Sequence, residues 1–313
     1  MKPNLHSVEG GVGKHLQFTA LFPELVKKYN QKLVINSAYP ELFTYSPEVA
    51  VSKILPCHAD LLYDTYNAYF NNYDQLFLSD PYMGNFLKGK THVVEEWATQ
   101  YEIEVKDIRP SFTVNPIREK ILLSSIKKLN QFILLQFTGG QGVIDLNYLP
   151  YNTDNKGRNY KYGQELINLL REAFPTHLLI VFSHNNERQE FIGETKINDE
   201  GGNPLFMTRE DFMILSQHCS FFISIDSALY HMCSHQSFNK KGIGLWGTTV
   251  PERFGYKENI NLQSEYPYCV EIKPQVIVDE ALGFNTETPQ GYGDVGWVSE
   301  PLTPEWIVGK KEI

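Results

Sequence analysis

The chain has 313 residues, of which 42% are hydrophobic and 21% charged, a make-up that excludes disorder as its main state. Its formal charge of -9, from 28 Lys and Arg against 37 Asp and Glu, argues against a protein that coats nucleic acid, although a local basic groove is compatible with it. Four widely spaced cysteines (Cys57, Cys219, Cys233, Cys269) form no CxxC pair, so reduced and mostly buried thiols are expected.

At about 150 residues per domain the length suggests two domains. The opening MKPNLHSVEGG has neither the basic stretch nor the apolar run of a secretion signal. The strongest apolar runs, FILLQF and HLLIVF, are too short to span a bilayer, so a cytoplasmic protein without integral membrane association is expected.

In chain order, Gly10-Gly11-Val12-Gly13 leads into residues 14–29, where Leu16, Ala20, Leu21, Leu25 and Val26 recur at helical spacing. KLVINS then reads as a short buried strand ending near Ser37. Periodicity is weaker from 50 to 115, with segments expected at 61–70 and 74–79 and Pro81, Gly84, Gly89, Pro110 and Pro116 as punctuation. Residues 117–130 read as an amphipathic helix that closes a first domain.

Beyond it come strands at 132–137, 176–183, 220–226 and 242–247, with helices at 162–174, 208–219 and near 228–236. Strands separated by helices imply parallel pairing in a doubly wound α/β domain. The expected organisation is a first domain over 1–130, a second over 131–280, and a tail over 281–313. Within that tail Thr303-Pro304-Glu305 marks a short terminal helix.

The strongest functional signal is SFFISIDSALYHMCSHQSFNKKGIGLWGTTVPERF, residues 220–254. A buried strand ends at Asp226, Ser227-Ala228 make the turn, and a helix begins, so the amides of Ser227, Ala228 and Leu229 are candidates for holding a diphosphate. His231 follows on the same helix. By spacing alone, a helix-capping Asp and a satisfied interior His account for the pair equally well.

This stretch resembles glycosyltransferase family 9, the heptosyltransferase-like enzymes of the GT-B fold. The resemblance rests on Asp226-Ser227, His231, the strand around Ile243 to Trp246 and Gly247-Thr248-Thr249-Val250-Pro251-Glu252-Arg253. It implies two Rossmann-like domains facing a central cleft and metal-independent, inverting transfer of a sugar from a nucleotide donor. An ADP-sugar is expected first and a UDP-sugar second, with no resident cofactor. Upstream, Gln136-Phe137-Thr138-Gly139-Gly140 resembles the family's phosphate-binding loop, Lys156 and Arg158 its basic residues, and Glu187 the acid that holds donor ribose hydroxyls.

In the first half GGVGKHLQFTALFPELVKKY resembles the family's opening loop and helix, so Gly10, Gly11, Gly13 and Lys14 fall on the acceptor side. The family has Asp directly after the last glycine as general base. Here Lys14 occupies that place, and an ammonium cannot accept a proton near neutral pH unless burial lowers its pKa greatly. Glu9 and His15 flank it as substitutes. The acceptor is left open among glycan, protein and hydroxymethylated DNA, and a relative that binds nucleotide sugar without turnover would read the same.

Two other readings are weaker. EGGVGKH is similar to the deviant Walker A loop, but Glu9 stands for the signature Lys and His15 for the magnesium-binding hydroxyl. His231, Cys233 and His235, with His218-Cys219 upstream, raise a zinc site. No HExxH Glu lies between the histidines, and Cys233 projects to another helix face.

Overall fold

A computed structural model describes residues 3–8, 10–37, 39–50, 55–56, 73–126, 131–139, 159–182, 192, 194, 207–238, 240–266 and 269–284. Two parallel sheets organise them. The first holds β1 (Leu5–Val8), β2 (Val34–Ser37), β3 (Leu55–Pro56) and β4 (Leu76–Leu78) in the order β3-β2-β1-β4. The second holds β5 (Phe132–Gln136), β6 (Leu178–Val181), β7 (Phe221–Ile225), β8 (Gly242–Trp246) and β9 (Ile260–Gln263) in the order β6-β5-β7-β8-β9. Every pairing is parallel, as the strand–helix alternation of the second half requires.

The helix expected over 14–29 forms in three pieces: α1 (Val12–Phe18), a 3-10 turn (Thr19–Leu21) and α2 (Phe22–Tyr29). Pro23, which has no N–H to donate, sits in the first turn of α2, where its fixed φ suits a helix start but not a continuous run. Asn30 closes α2 in the left-handed region at φ 50°. Next come α3 (Gly84–Leu87), α4 (Val93–Gln100) and α5 (Pro116–Ile126). The amphipathic stripe expected of α5 does not form as such: Ile117 and Ile121 face outward, 70% and 45% exposed, while Leu122 is buried.

The second sheet is flanked by α6 (Gly163–Ala173), α7 (Arg209–His218), α8 (Ala228–Cys233), the short α9 (Pro251–Phe254) and α10 (Pro274–Leu282). Successive side chains of a strand face opposite ways. Accordingly Ile133 and Leu135 of β5 join a core with α6 and α10, while Phe132 and Leu134 face α7 and α8. That second core is continuous with the first half, since Val8, Leu16, Phe18 and Leu25 belong to the same buried apolar cluster as Leu122, Leu215, Leu229 and Met232. The connecting segment is sewn to the second half by Gln236, whose amide nitrogen donates to the carbonyls of Asp107 and Arg109. Arg118 makes a two-pronged pair with the buried Asp211 at 2.7 and 3.0 Å.

Cys219, Cys233 and Cys269 are buried and form no disulfide among the described residues, and Cys57 lies outside those residues. Residues 61–70, 127–130 and the Thr303-Pro304-Glu305 helix also lie outside them. Among the described residues no helix is long and apolar enough to cross a membrane.

Four buried imidazoles are held neutral. Loss of hydration lowers the pKa of His6 to about 3 and of His15, His92 and His235 to about 4. The unfolded chain binds protons at these positions near 6.5 and the folded chain does not, so stability is full above that pH and falls as pH drops toward 4. Urea denaturation across pH 7.5 to 4.5 is expected to show a steadily falling midpoint, and a flat profile would contradict the neutral, buried assignment.

Candidate functional site

Open parallel sheets bind ligands beyond the carboxyl ends of their strands, at the point where strand order reverses. In the second sheet the chain passes from β5 to β6 on one side and then to β7 on the other, which puts the reversal between β5 and β7. Gln136, the last residue of β5, bridges that point. Its Oε1 accepts from the Leu229 amide at 3.0 Å, and its Nε2 donates to Ser227 Oγ at 2.9 Å and to the Thr138 carbonyl at 3.0 Å. Ser227 stands at the N-cap of α8 without a side-chain cap of its own, so the cap comes from the neighbouring strand. The Leu229 amide is thus committed to the scaffold. Beside it, the Gly139 amide donates to Asn159 Oδ1 at 3.3 Å.

Asp226 leaves the end of β7 with its side chain 7% exposed, and His231 lies one turn into α8 at 3%. His231 Nε2 is 3.6 Å from Asp226 Oδ1, and its Nδ1 is 2.9 Å from the Tyr256 hydroxyl. The glycine loop after β1 closes over this pair. A Cβ placed on Gly13 would fall 2.8 Å from His231 Cδ2 and 3.3 Å from Nε2, so only a bare backbone fits there. Gly10 serves differently: at φ +93° it turns the chain in the region that favours glycine. The structure therefore brings Gly10, Gly11, Gly13, Thr138, Gly139, Asp226, Ser227, Ala228, Leu229 and His231 to one region where the halves meet.

Two expected residues point elsewhere. His15 is fully buried, with its ring edge-on to Tyr39 at 4.9 Å and against Phe43 at 6.0 Å. Its Nδ1–H donates to the Gly11 carbonyl at 3.0 Å, and Nε2 has no partner among the described residues. Lys14 extends over the Tyr82 ring at 4.7 Å, with Nζ 3.9 Å from Asp80 Oδ1 at the end of β4. Glu9, Gly140, Lys156, Arg158 and Glu187 lie outside the described residues.

Three residues that sequence reasoning passed over, Gln17, His92 and Tyr256, join Gln136, which was expected as the first residue of the phosphate-binding loop. His92 caps α4, accepting from the Val94 amide on Nδ1 at 3.2 Å while Glu95 accepts from the His92 amide at 2.9 Å. Its proton is therefore on Nε2, and its ring lies tilted to that of Tyr256 with the centroids 5.8 Å apart. Burial foremost, together with the nearby His231, keeps it neutral. Gln136 was expected in that loop through the family resemblance, and it ends an otherwise apolar strand. The zinc reading has no geometric basis here, because His235 is turned to the Phe112 main chain and to Ser237. Among the described residues no group of three His, Cys, Asp or Glu is placed to hold a metal.

Two substitutions test this arrangement. Gly13→Ala gains about 1 kcal/mol of helix propensity but overpacks against His231 by about 1–3 kcal/mol. A Cβ on Gly11 meets nothing within 4 Å among the described residues. Thermal unfolding should thus show Gly13→Ala destabilised relative to Gly11→Ala, and equal melting temperatures would remove the close approach. Gln136→Leu orphans the Leu229 amide and is expected to cost about 1–2 kcal/mol in urea denaturation; an unchanged midpoint would show that water replaces it.

No family model matches the chain, and no curated protein matches it in sequence. Solved structures do. A glycosyl transferase family 9 protein from Veillonella parvula aligns over 90% of this chain and 97% of its own at 11% identity, with a TM-score of 0.59. E. coli ADP-heptose LPS heptosyltransferase II aligns over 90% and 98% at 13% identity, with a TM-score of 0.63. E. coli heptosyltransferase WaaC, solved with ADP, aligns over 89% and 98% at 10% identity, with a TM-score of 0.58. None of this favours the Walker-type ATPase. At such low identity the likeness is one of fold, an α/β architecture of parallel sheets and covering helices that the chain has in common with a family 9 glycosyltransferase and with ADP-heptose heptosyltransferases.

Proposed function

We propose that the protein is a GT-B glycosyltransferase that moves a sugar, heptose-like in the first instance, from a nucleoside diphosphate donor to an acceptor hydroxyl. One observation carries the reading: the buried Asp226–His231 pair and the Gln136-braced start of α8 meet at the reversal point of the second sheet, directly under the glycine loop of the first. Solved heptosyltransferases of the same fold hold ADP and ADP-2-deoxy-2-fluoro heptose, which supports ADP as the first donor base to test; UDP is the second.

In this reading the donor diphosphate lies across Thr138, Gly139 and the turn at Ser227-Ala228, with Gly140, Lys156, Arg158 and Glu187 assigned to it through the family resemblance. The acceptor approaches from the side of Gly10 to Lys14. The acceptor oxygen forms a bond to the anomeric carbon on the face opposite the leaving group, the bond from that carbon to the phosphate oxygen breaks with its electron pair departing on the nucleoside diphosphate, and the acceptor proton passes to a carboxylate, Asp226 or Glu9. Asp226 and His231 are the groups we place at the reacting end, where a buried carboxylate and imidazole act without a metal. Glu9 is the other candidate base. His15 serves less well, since its ring is sealed behind Tyr39 and Phe43. Close apposition of the halves keeps water from the activated sugar. We place the reaction in the cytoplasm.

Calorimetry with ADP, UDP and GDP tests the donor site before any acceptor is known. ADP is expected to bind, and Asp226→Ala and His231→Ala each to weaken it by about tenfold or more, equivalent to about 1.4 kcal/mol, with the circular dichroism spectrum retained. No binding by any of the three nucleotides, or unchanged binding in both variants, would remove the proposal.

A further inference from the structure

A carboxylate stands on the acceptor side of the molecule, at the end of the strand next to the glycine loop. Asp80 follows β4 by two residues, and β4 pairs with β1, whose carboxyl end leads into that loop. The pairing runs on past the strand, since the Ser79 amide donates to the Ser7 carbonyl at 3.0 Å. The main chain at Asp80 is held on each side. Its amide donates to the Leu78 carbonyl at 3.0 Å, its carbonyl accepts from Gln100 Nε2 at 2.7 Å, and the buried Pro81, with its fixed φ, comes next.

The two oxygens of this carboxylate differ. Oδ1 accepts from the Tyr82 amide at 3.1 Å and faces the Lys14 ammonium at 3.9 Å. Oδ2 has no partner among the described residues, and the side chain is 59% exposed. One oxygen is anchored and the other is open to a ligand. Nearby acids of the first half are spent on structure: Glu95 accepts from the His92 amide, Glu96 from the Phe86 amide and the Thr91 hydroxyl, and Glu41 pairs with Arg209. The stem of Lys14 runs back along α1 past Gly10, where a Cβ would fall 3.0 Å from Lys14 Cδ, and so brings Nζ to Asp80. The position that bears an acid in the resembling family thus holds a cation, and that cation is directed at an acid on the neighbouring strand end.

We infer that Asp80 is the general base of the transfer, in place of Asp226 or Glu9. Asp226 lies with His231 on the donor half, beneath Gly13, whereas Asp80 stands on the side from which the acceptor approaches. As the acceptor oxygen bonds to the anomeric carbon, its O–H bond breaks and the proton goes to Asp80 Oδ2. The nucleoside diphosphate departs with the electron pair of the broken carbon–oxygen bond, and Asp80 then returns the proton to water. This role rests on the proposed transfer reaction.

Two nucleophiles separate the base from the donor site. Water is the smallest hydroxyl acceptor and must lose a proton, whereas azide is an anion with none to lose. ADP release from ADP-heptose is measured with each. Asp80→Asn keeps an oxygen for the Tyr82 amide and is expected to slow release into water about 100-fold, the usual scale of general base catalysis, with the azide reaction and ADP affinity retained. Release into water at the wild-type rate, or an equal fall with both nucleophiles, would overturn the assignment. Wild type that binds no ADP, or releases none with either nucleophile, would remove the transfer reaction and the base role with it. That failure is read on the unaltered protein, so it is distinguished from a failure of Asp80 alone.

Discussion

A missing side chain at position 13 is the constraint on which the rest of the structure turns. Gly13 lets the first helix of one half lie directly on the helix that follows β7 in the other, so that an imidazole and a bare backbone touch. Any side chain there would have to push α1 away from α8. That displacement would reach Gln17 one turn further along α1, and with it the bond to the Phe254 carbonyl. Close packing between the sheets and the geometry of the polar site are therefore consequences of the same contact.

The interior this contact encloses is polar, with two imidazoles in it. His92 and His231 each use one nitrogen on a neighbour within the protein, a main-chain amide in one case and a phenol in the other. Buried polar groups of this kind are costly unless satisfied, and once satisfied they favour a single arrangement. Lys14 shows the contrasting surface solution. It stands where the resembling family carries an acid, and its counter-charge comes from Asp80 at the end of the neighbouring strand, 59% exposed and open to screening by salt.

Much of the second half was legible in the sequence because its buried parallel strands are continuous apolar runs. The strands at 132–136, 221–225 and 242–246 lie within one residue of the expected spans. β9 escaped notice since INLQ alternates at an edge and is only partly buried. α4 escaped because its N-cap is a histidine, an unusual residue for that place, so the capping box with Glu95 gave no familiar pattern. The motif's Asp226 and His231 lie at the carboxyl end of β7, beside the reversal point of the second sheet. Gln17 was not legible, for the Phe254 carbonyl it meets lies 237 residues further along the chain and only the packing of α1 on the second half brings the two together. Likewise Arg253, read as part of a site motif, proves to rest on Phe86 at 5.1 Å and against Gly89 of the first half.

The continuous apolar cluster running from β1 and α1 through α5, α7 and α8 governs how the molecule can breathe. A wide hinge would wet side chains such as Leu16, Phe18, Leu215 and Leu229, at about 1.5–3 kcal/mol for each one fully uncovered. Small sliding of packed helices past one another preserves that burial, so shear rather than hinge is the mode of motion this architecture favours. Traffic in and out of the region beside Gly13 would then depend on modest loop displacements, with the bulk of both sheets staying where they are.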